Sequence, residues 1–145
     1  MILSATEIAR RLELENVPEK LVIRPYSIES QQPASYDLRS ADETCLTGGT
    51  YTLLPTLEWV ELPMDLAGTV RCRSSFGRRG VLLGAGFVDP GFRGQLTLCL
   101  TNMGKENITI HKNDRVAQMI LHEVRNPGGS YSGRYQDSLG AVGAK

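Results

Sequence analysis

Hydrophobic and polar positions alternate along much of this chain, and turn residues break the alternation every few positions. Residues 95–101 give the clearest case. Leu96, Leu98 and Leu100 face one way, while Gln95, Thr97, Cys99 and Thr101 face the other. That pattern predicts a half-buried strand whose second face is polar enough to line a site. Further strands are predicted over 21–23, over 50–54 and 58–62 on either side of Pro55, and over 68–73, 107–110 and 115–124. One helix is predicted. Ser4-Ala5-Thr6-Glu7 has the form of a capping box, Ile8, Leu12 and Leu14 fall on or near one side of the helix it opens, and Pro18 is expected to end it. Short strands with a single short N-terminal helix predict a mainly β fold, a sandwich or jelly roll.

Composition narrows the function. A chain of 145 residues is one domain with room for a real core. Sixteen basic and sixteen acidic side chains balance, so no overall field favours nucleic acid or a membrane surface. No apolar run approaches spanning length, and the N-terminus lacks the features of a signal peptide, so a cytoplasmic protein is expected. Cys45, Cys72 and Cys99 are odd in number and far apart, which argues against a disulfide framework or a zinc site. From Asn126 onward the composition changes to glycine, serine and proline. The expected division is a β domain over 1–125 and a flexible tail over 126–145, either disordered or a lid.

Charge and hydroxyls gather in one stretch. Arg73-Ser74-Ser75-Phe76-Gly77-Arg78-Arg79-Gly80 is followed closely by a glycine-rich segment, Gly84-Ala85-Gly86 and onward to Gly94. Arginine offers a planar fork of donors suited to phosphate oxygens, and hydroxyls and glycine-flanked amides add neutral donors. The lone carboxylate, Asp89, suits the activation of water or a bond to a sugar hydroxyl. The same residues also fit a turn-rich surface of solvated charges, and both readings stay open on chemistry alone. A P-loop is excluded by the absence of GxxxxGK[ST]. A zinc deaminase is excluded by the absence of HxE with PCxxC, since His111 and His122 read as surface residues.

Five segments in order resemble the dUTPase and dCTP deaminase superfamily. They are Met1-Ile2-Leu3-Ser4, Pro33-Ala34-Ser35-Tyr36-Asp37-Leu38-Arg39, Arg73-Ser74-Ser75, Val88-Asp89-Pro90-Gly91-Phe92-Arg93-Gly94 and Asn113-Asp114-Arg115-Val116-Ala117-Gln118. The opening segment and the tail, Gly133-Arg134-Tyr135-Gln136 then Gly140-Ala141-Val142, are more similar to the deaminase-like, archaeal-type branch than to a glycine-rich dUTPase tail. The resemblance implies a distorted jelly roll, a homotrimer with active sites shared between subunits, and a tail that closes over nucleotide.

Two reactions share that scaffold, so the fold does not choose between them. A dUTPase hydrolyses dUTP to dUMP and pyrophosphate with Mg²⁺ on the triphosphate. A dCTP deaminase exchanges the cytosine amino group through a glutamate, without zinc. By resemblance that glutamate belongs where this chain has Cys99, after Thr97-Leu98. Ser138 also departs from the glutamine usual in deaminases. The expectation is a dUTP diphosphatase; a dCTP deaminase or a non-catalytic nucleotide-binding regulator is the alternative. The resemblance makes Asp89 the general base, sets Phe92 against deoxyribose, and places Arg73, Ser74, Ser75 and Gln118 on phosphate. Arg78, Tyr131 and Arg134 are further nucleotide contacts, and the backbone of Gly84 and Gly86 reads the uracil edge. No protein ligand is expected to hold the metal directly. Asp37 and Asp114 either order Arg73 or magnesium waters, or form structural ion pairs.

Overall fold

The computed structural model describes residues 1–145. After helix α1 (Ala5–Glu13) the chain forms β1 (Val22–Arg24), β2 (Gln31–Gln32), β3 (Ser35–Arg39), β4 (Thr44–Leu46), β5 (Tyr51–Glu61) and β6 (Leu66–Cys72). One helical turn, α2 (Ser74–Gly77), then precedes β7 (Val81–Gly84), β8 (Phe87–Val88), β9 (Arg93–Asn102), β10 (Ile108–Ile110) and β11 (Arg115–Glu123). Two antiparallel sheets carry the molecule, one in the order β1-β5-β9-β7 and the other β2-β3-β11-β6-β8; β4 and β10 make a small third pair. Leu54, Val60, Leu98 and Leu100 from the first sheet meet Tyr36, Leu38, Val70, Met119 and Leu121 from the second in one buried core. The mainly β expectation is met, and β9 keeps its predicted alternation from Thr97 onward, with Leu98 and Leu100 buried and Thr97, Cys99 and Thr101 half-buried, while Leu96 is half-buried and lines the apolar cleft. No helix is long and apolar enough to cross a membrane.

Three expectations need correction. Pro55 does not divide two strands, because β5 runs straight through it with a register shift between Pro55 and Trp59. The irregularity is repaired by Thr56, whose hydroxyl accepts from Leu96 N (3.0 Å) and whose carbonyl accepts from Gln95 Nε2 (2.9 Å). Pro18 does not end α1. The helix stops at Glu13, and Lys20 reaches back to the carbonyls of Leu12 and Leu14. Ser4 does cap, accepting from Glu7 N at 3.3 Å, but the Glu7 carboxylate turns to Arg10 and Arg11 instead of completing the box. Arg11 in turn forms a two-pronged pair with Asp65 (3.1 and 2.6 Å), which ties α1 to the turn before β6. Finally, α1 is not the only helical segment, since α2 and a short 3-10 turn at Ile28–Ser30 escape a pattern too short to register.

Candidate functional site

Two clefts that share no lining residue take some of the predicted site residues, Arg73 and Asp114 in the first and Gly86, Asp89, Phe92 and Tyr131 in the second, while Ser74, Ser75, Arg78, Gly84, Gln118 and Arg134 line neither. The first is polar, about 450 Å³, with Phe76 its one hydrophobic lining residue. Arg39, Arg73 and Arg115 bring cations to it from β3, the end of β6 and the start of β11. Behind them Asp37 is buried on β3. Its Oδ2 lies 3.1 Å from Arg73 Nε and 3.5 Å from Arg115 Nη1, but makes no well-formed hydrogen bond. Burial pushes the Asp37 carboxyl above its ordinary range, and the two guanidiniums pull it back only in part. Gln118 pairs across the sheet with Asp37 on one side and Arg71 on the other. Ser74, Ser75 and Arg78 stand exposed on and just after α2, beside Arg73, without entering the cleft wall. Asp114 lines the cleft and accepts from His111 N (2.8 Å) in a local turn. A second structural pair supports the floor: Glu58, fully buried, holds Arg39 through Nε (2.6 Å) and through the Arg39 amide (2.9 Å).

The second cleft is larger, about 510 Å³, and mostly apolar. Asp89 and Phe92 line it from the turn between β8 and β9, Gly86 from the loop that carries the chain from β7 in one sheet to β8 in the other, and Cys99 from the middle of β9. Asp89 is the sole carboxylate among its lining residues, and no lysine, arginine or histidine joins it. Gly84 ends β7 opposite Cys99 without lining the cleft; Ala85 does so in its place, with a left-handed φ of 61°. One acceptor of that loop is already committed, because Gly86 O takes a hydrogen bond from Val70 N at 2.6 Å. All three cysteines are free thiols, and burial raises Cys72.

The tail completes this second cleft. Composition gives it too little apolar surface to hold itself, yet here it lies against β9 through polar and backbone bonds. Tyr131 N donates to Pro90 O (2.8 Å), Asp137 N to Arg93 O (2.9 Å) and Gln95 N to Ser138 O (2.8 Å). Arg93 also pairs with the Asp137 carboxylate. Further on, Gly140 N reaches Gln95 Oε1 (2.7 Å) and Val142 N reaches Thr97 Oγ1 (2.9 Å), which spreads Val142, Gly143 and Ala144 along the cleft wall. The polar face of β9 thus serves largely as a rail for the tail. The Tyr131 ring meets Phe92 edge-on at 5.6 Å. Arg134 joins neither cleft; its guanidinium donates to the carbonyl of Lys145. Arg115, Gln95, Thr97 and Gln136 are the residues that sequence reasoning left without a role. Arg115 had a signal, since it sits inside a recognised motif, but the tail-binding residues had none beyond the polarity of β9.

Known proteins fit this geometry. The dCTP deaminase-like family pattern matches residues 40–124. The dCTP deaminase of Pyrococcus horikoshii is 36% identical over 145 aligned residues, which cover 89% of this chain and 93% of the relative. Among solved structures, the native EIAV dUTPase superposes with a TM-score of 0.63 at 22% identity, covering 80% of this chain and 98% of its own. The 2'-deoxycytidine 5'-triphosphate deaminase of Agrobacterium tumefaciens gives 0.68 at 20% identity, covering 83% of this chain and 47% of its own. A two-sheet fold of this kind, with a cationic cleft and an apolar one, places the protein among the dUTPase and dCTP deaminase superfamily. Within it, this chain belongs to the dCTP deaminase-like family.

Proposed function

We propose that the chain is a dUTP diphosphatase that releases dUMP and pyrophosphate. One observation carries the reading: the apolar cleft holds a single carboxylate, Asp89, at its rim, and Cys99 lines it from β9, at the position where the sequence resemblance puts a deaminase's glutamate. Amino exchange on cytosine needs a group that passes protons back and forth at the ring, and a thiol, a weak hydrogen-bond donor and acceptor, is poorly suited to that task. Hydrolysis needs only one base, aimed at water. The Asp89 carboxylate takes a proton from water, the water oxygen bonds to the α-phosphorus, the bond from that phosphorus to the bridging oxygen breaks, and pyrophosphate leaves. Phe92 packs against the sugar where a 2'-hydroxyl would collide. The remaining backbone groups of the Gly84–Gly86 loop read uracil, Gly86 O being already used.

A second copy must bring the cations. Asp89 follows Val88, which pairs with Gly68, so it falls level with Ala67, six positions (73 − 67) from Arg73 along β6. At about 3.3 Å per residue that is roughly 20 Å. Asp37 draws the Arg73 side chain further off, toward β3, three strands from β8 or roughly 14 Å at the usual spacing. Both groups cannot touch one α-phosphate from the same chain. A homotrimer in which Arg73, Ser74, Ser75, Arg78 and Gln118 of one subunit meet Asp89 and Phe92 of another satisfies the geometry, with the tail as lid. Magnesium travels on the triphosphate, where it neutralises charge on the phosphate oxygens. The chain has no cluster of three metal-ligating side chains, and Asp37 already faces two guanidiniums, so its donors fit contact through metal-bound water.

The relatives' name favours the second reading, a dCTP deaminase. Product analysis separates the two. With Mg²⁺, dUTP is expected to yield dUMP and pyrophosphate while dCTP yields no ammonia. Ammonia from dCTP at a rate comparable to dUTP hydrolysis refutes the proposal.

A further inference from the structure

The tail grips the chain on both sides of Phe92. Gln136 Nε2 donates to Gly91 O (2.9 Å) and Gln136 Oε1 accepts from Arg93 N (2.9 Å). On the opposite edge Gly91 N donates to Leu62 O (3.0 Å) and Leu62 N to Phe92 O (2.9 Å), so the residue just after β5 holds one side of this turn and the tail holds the other, with the Gln136 side chain alone bridging both flanks of Phe92. A carboxamide donates from its nitrogen and accepts at its oxygen at once, as a neighbouring strand would. The turn itself is shaped to receive the tail. Gly91 and Gly94 have φ of 79° and 149°, and a Cβ on Gly94 would sit 2.9 Å from Ser138 N and 3.2 Å from the tip of the Phe92 ring. Any side chain at 94 would displace either the ring or the tail.

We infer that Gln136 is a positioning residue for sugar selection. It couples closure of the tail to the placement of the Phe92 ring, so exclusion of a 2'-hydroxyl belongs to the closed tail and not to the turn alone. The inference rests on the reading of the apolar cleft as a deoxynucleoside pocket. It concerns the sugar and not the base, which makes it separable from the choice between uracil and cytosine.

The test uses full-length Gln136→Met, which keeps length and loses both hydrogen bonds, and Gln136→Glu, which keeps the acceptor and loses the donor. kcat/KM is measured for dUTP and UTP, and equilibrium binding for dCTP and CTP. Two hydrogen bonds at about 0.5–1.5 kcal/mol each predict a fall in deoxy-over-ribo preference of roughly 5- to 150-fold in Gln136→Met. Gln136→Glu should lie between it and the parent, and melting temperatures should change little. If both nucleotides of a pair lose equally, or the preference is unchanged, Gln136 merely supports the fold and the inference fails. A parent protein that prefers the deoxy sugar with cytosine but does not hydrolyse dUTP would overturn the diphosphatase reading and leave this one to the binding ratio. A parent without any sugar preference overturns the inference outright.

Discussion

The polar and the apolar cleft are built by opposite means. The polar cleft rests on buried ionic pairs: Asp37 under Arg73 and Arg115, and Glu58 under Arg39. Its side chains are held before any ligand arrives, as suits a site for a highly charged group. The apolar cleft has one wall from the core sheet and another from the tail, which attaches through amides, hydroxyls and one exposed ion pair. Bonds of that kind exchange readily with water and contribute little net stability. The contrast suggests a division of labour, with a fixed half that holds phosphate and an adjustable half that selects and encloses the nucleoside.

The largest effect should come from the one carboxylate of the apolar half. Asp89→Asn is expected to retain dUTP binding by calorimetry and lose turnover by roughly 10²–10⁴-fold. Near-parental turnover would move water activation elsewhere. In the polar half, Arg73→Ala removes charge-assisted hydrogen bonds worth about 1.5–3 kcal/mol each, so kcat/KM should fall roughly 10- to 150-fold. The loss should shrink for nucleotides with fewer phosphates; an equal loss for dUMP binding would show that Arg73 acts on the nucleoside instead. Ending the chain after Gly129 should lower kcat/KM by about tenfold or more while the core still melts cooperatively, because the tail lends the core little besides the Tyr131 contact. Full activity without the tail would break the comparison.

The smallest effect lies outside both clefts. Paired with Arg10 and Arg11, Glu7 has its pKa lowered from 4.5 to about 2. A depressed carboxylate adds stability above its unfolded pKa, and that stability is lost as pH falls from about 4.5 toward 2. The Glu7 side chain is 32% exposed, so solvent screening limits the gain. Glu7→Gln should therefore cost under about 1 kcal/mol at neutral pH, flatten the acid limb of stability, and leave dUTP turnover untouched. A change in turnover would tie α1 to the site.

Sequence reading reached the two halves unequally. The strand alternation and the ordered motifs were visible because they are local: period-two hydrophobicity for β9, arginines and serines in one run for residues 73–80. The register of β5 through Pro55 was not, since a proline ordinarily interrupts a ladder and only Thr56, by its side chain, repairs this one. Nor was the burial of Glu58 and Asp37, whose partners lie on other strands. The tail hid for the same reason. Its anchors, Gln95, Thr97 and Arg93, are polar residues in another segment, and composition alone cannot register a dock made of hydrogen bonds.

The claim that one site joins the apolar half of one chain to the polar half of another is open to a direct measurement. Asp89→Asn and Arg73→Ala proteins, each expected to keep about a tenth or less of parental activity alone, are co-expressed or refolded together and assayed with dUTP and Mg²⁺. In a closed ring of three randomly mixed chains, about a quarter of the sites receive Asp89 from one chain and Arg73 from its neighbour, so roughly a quarter of parental activity should return. Activity no greater than that of the separate variants would contradict the account.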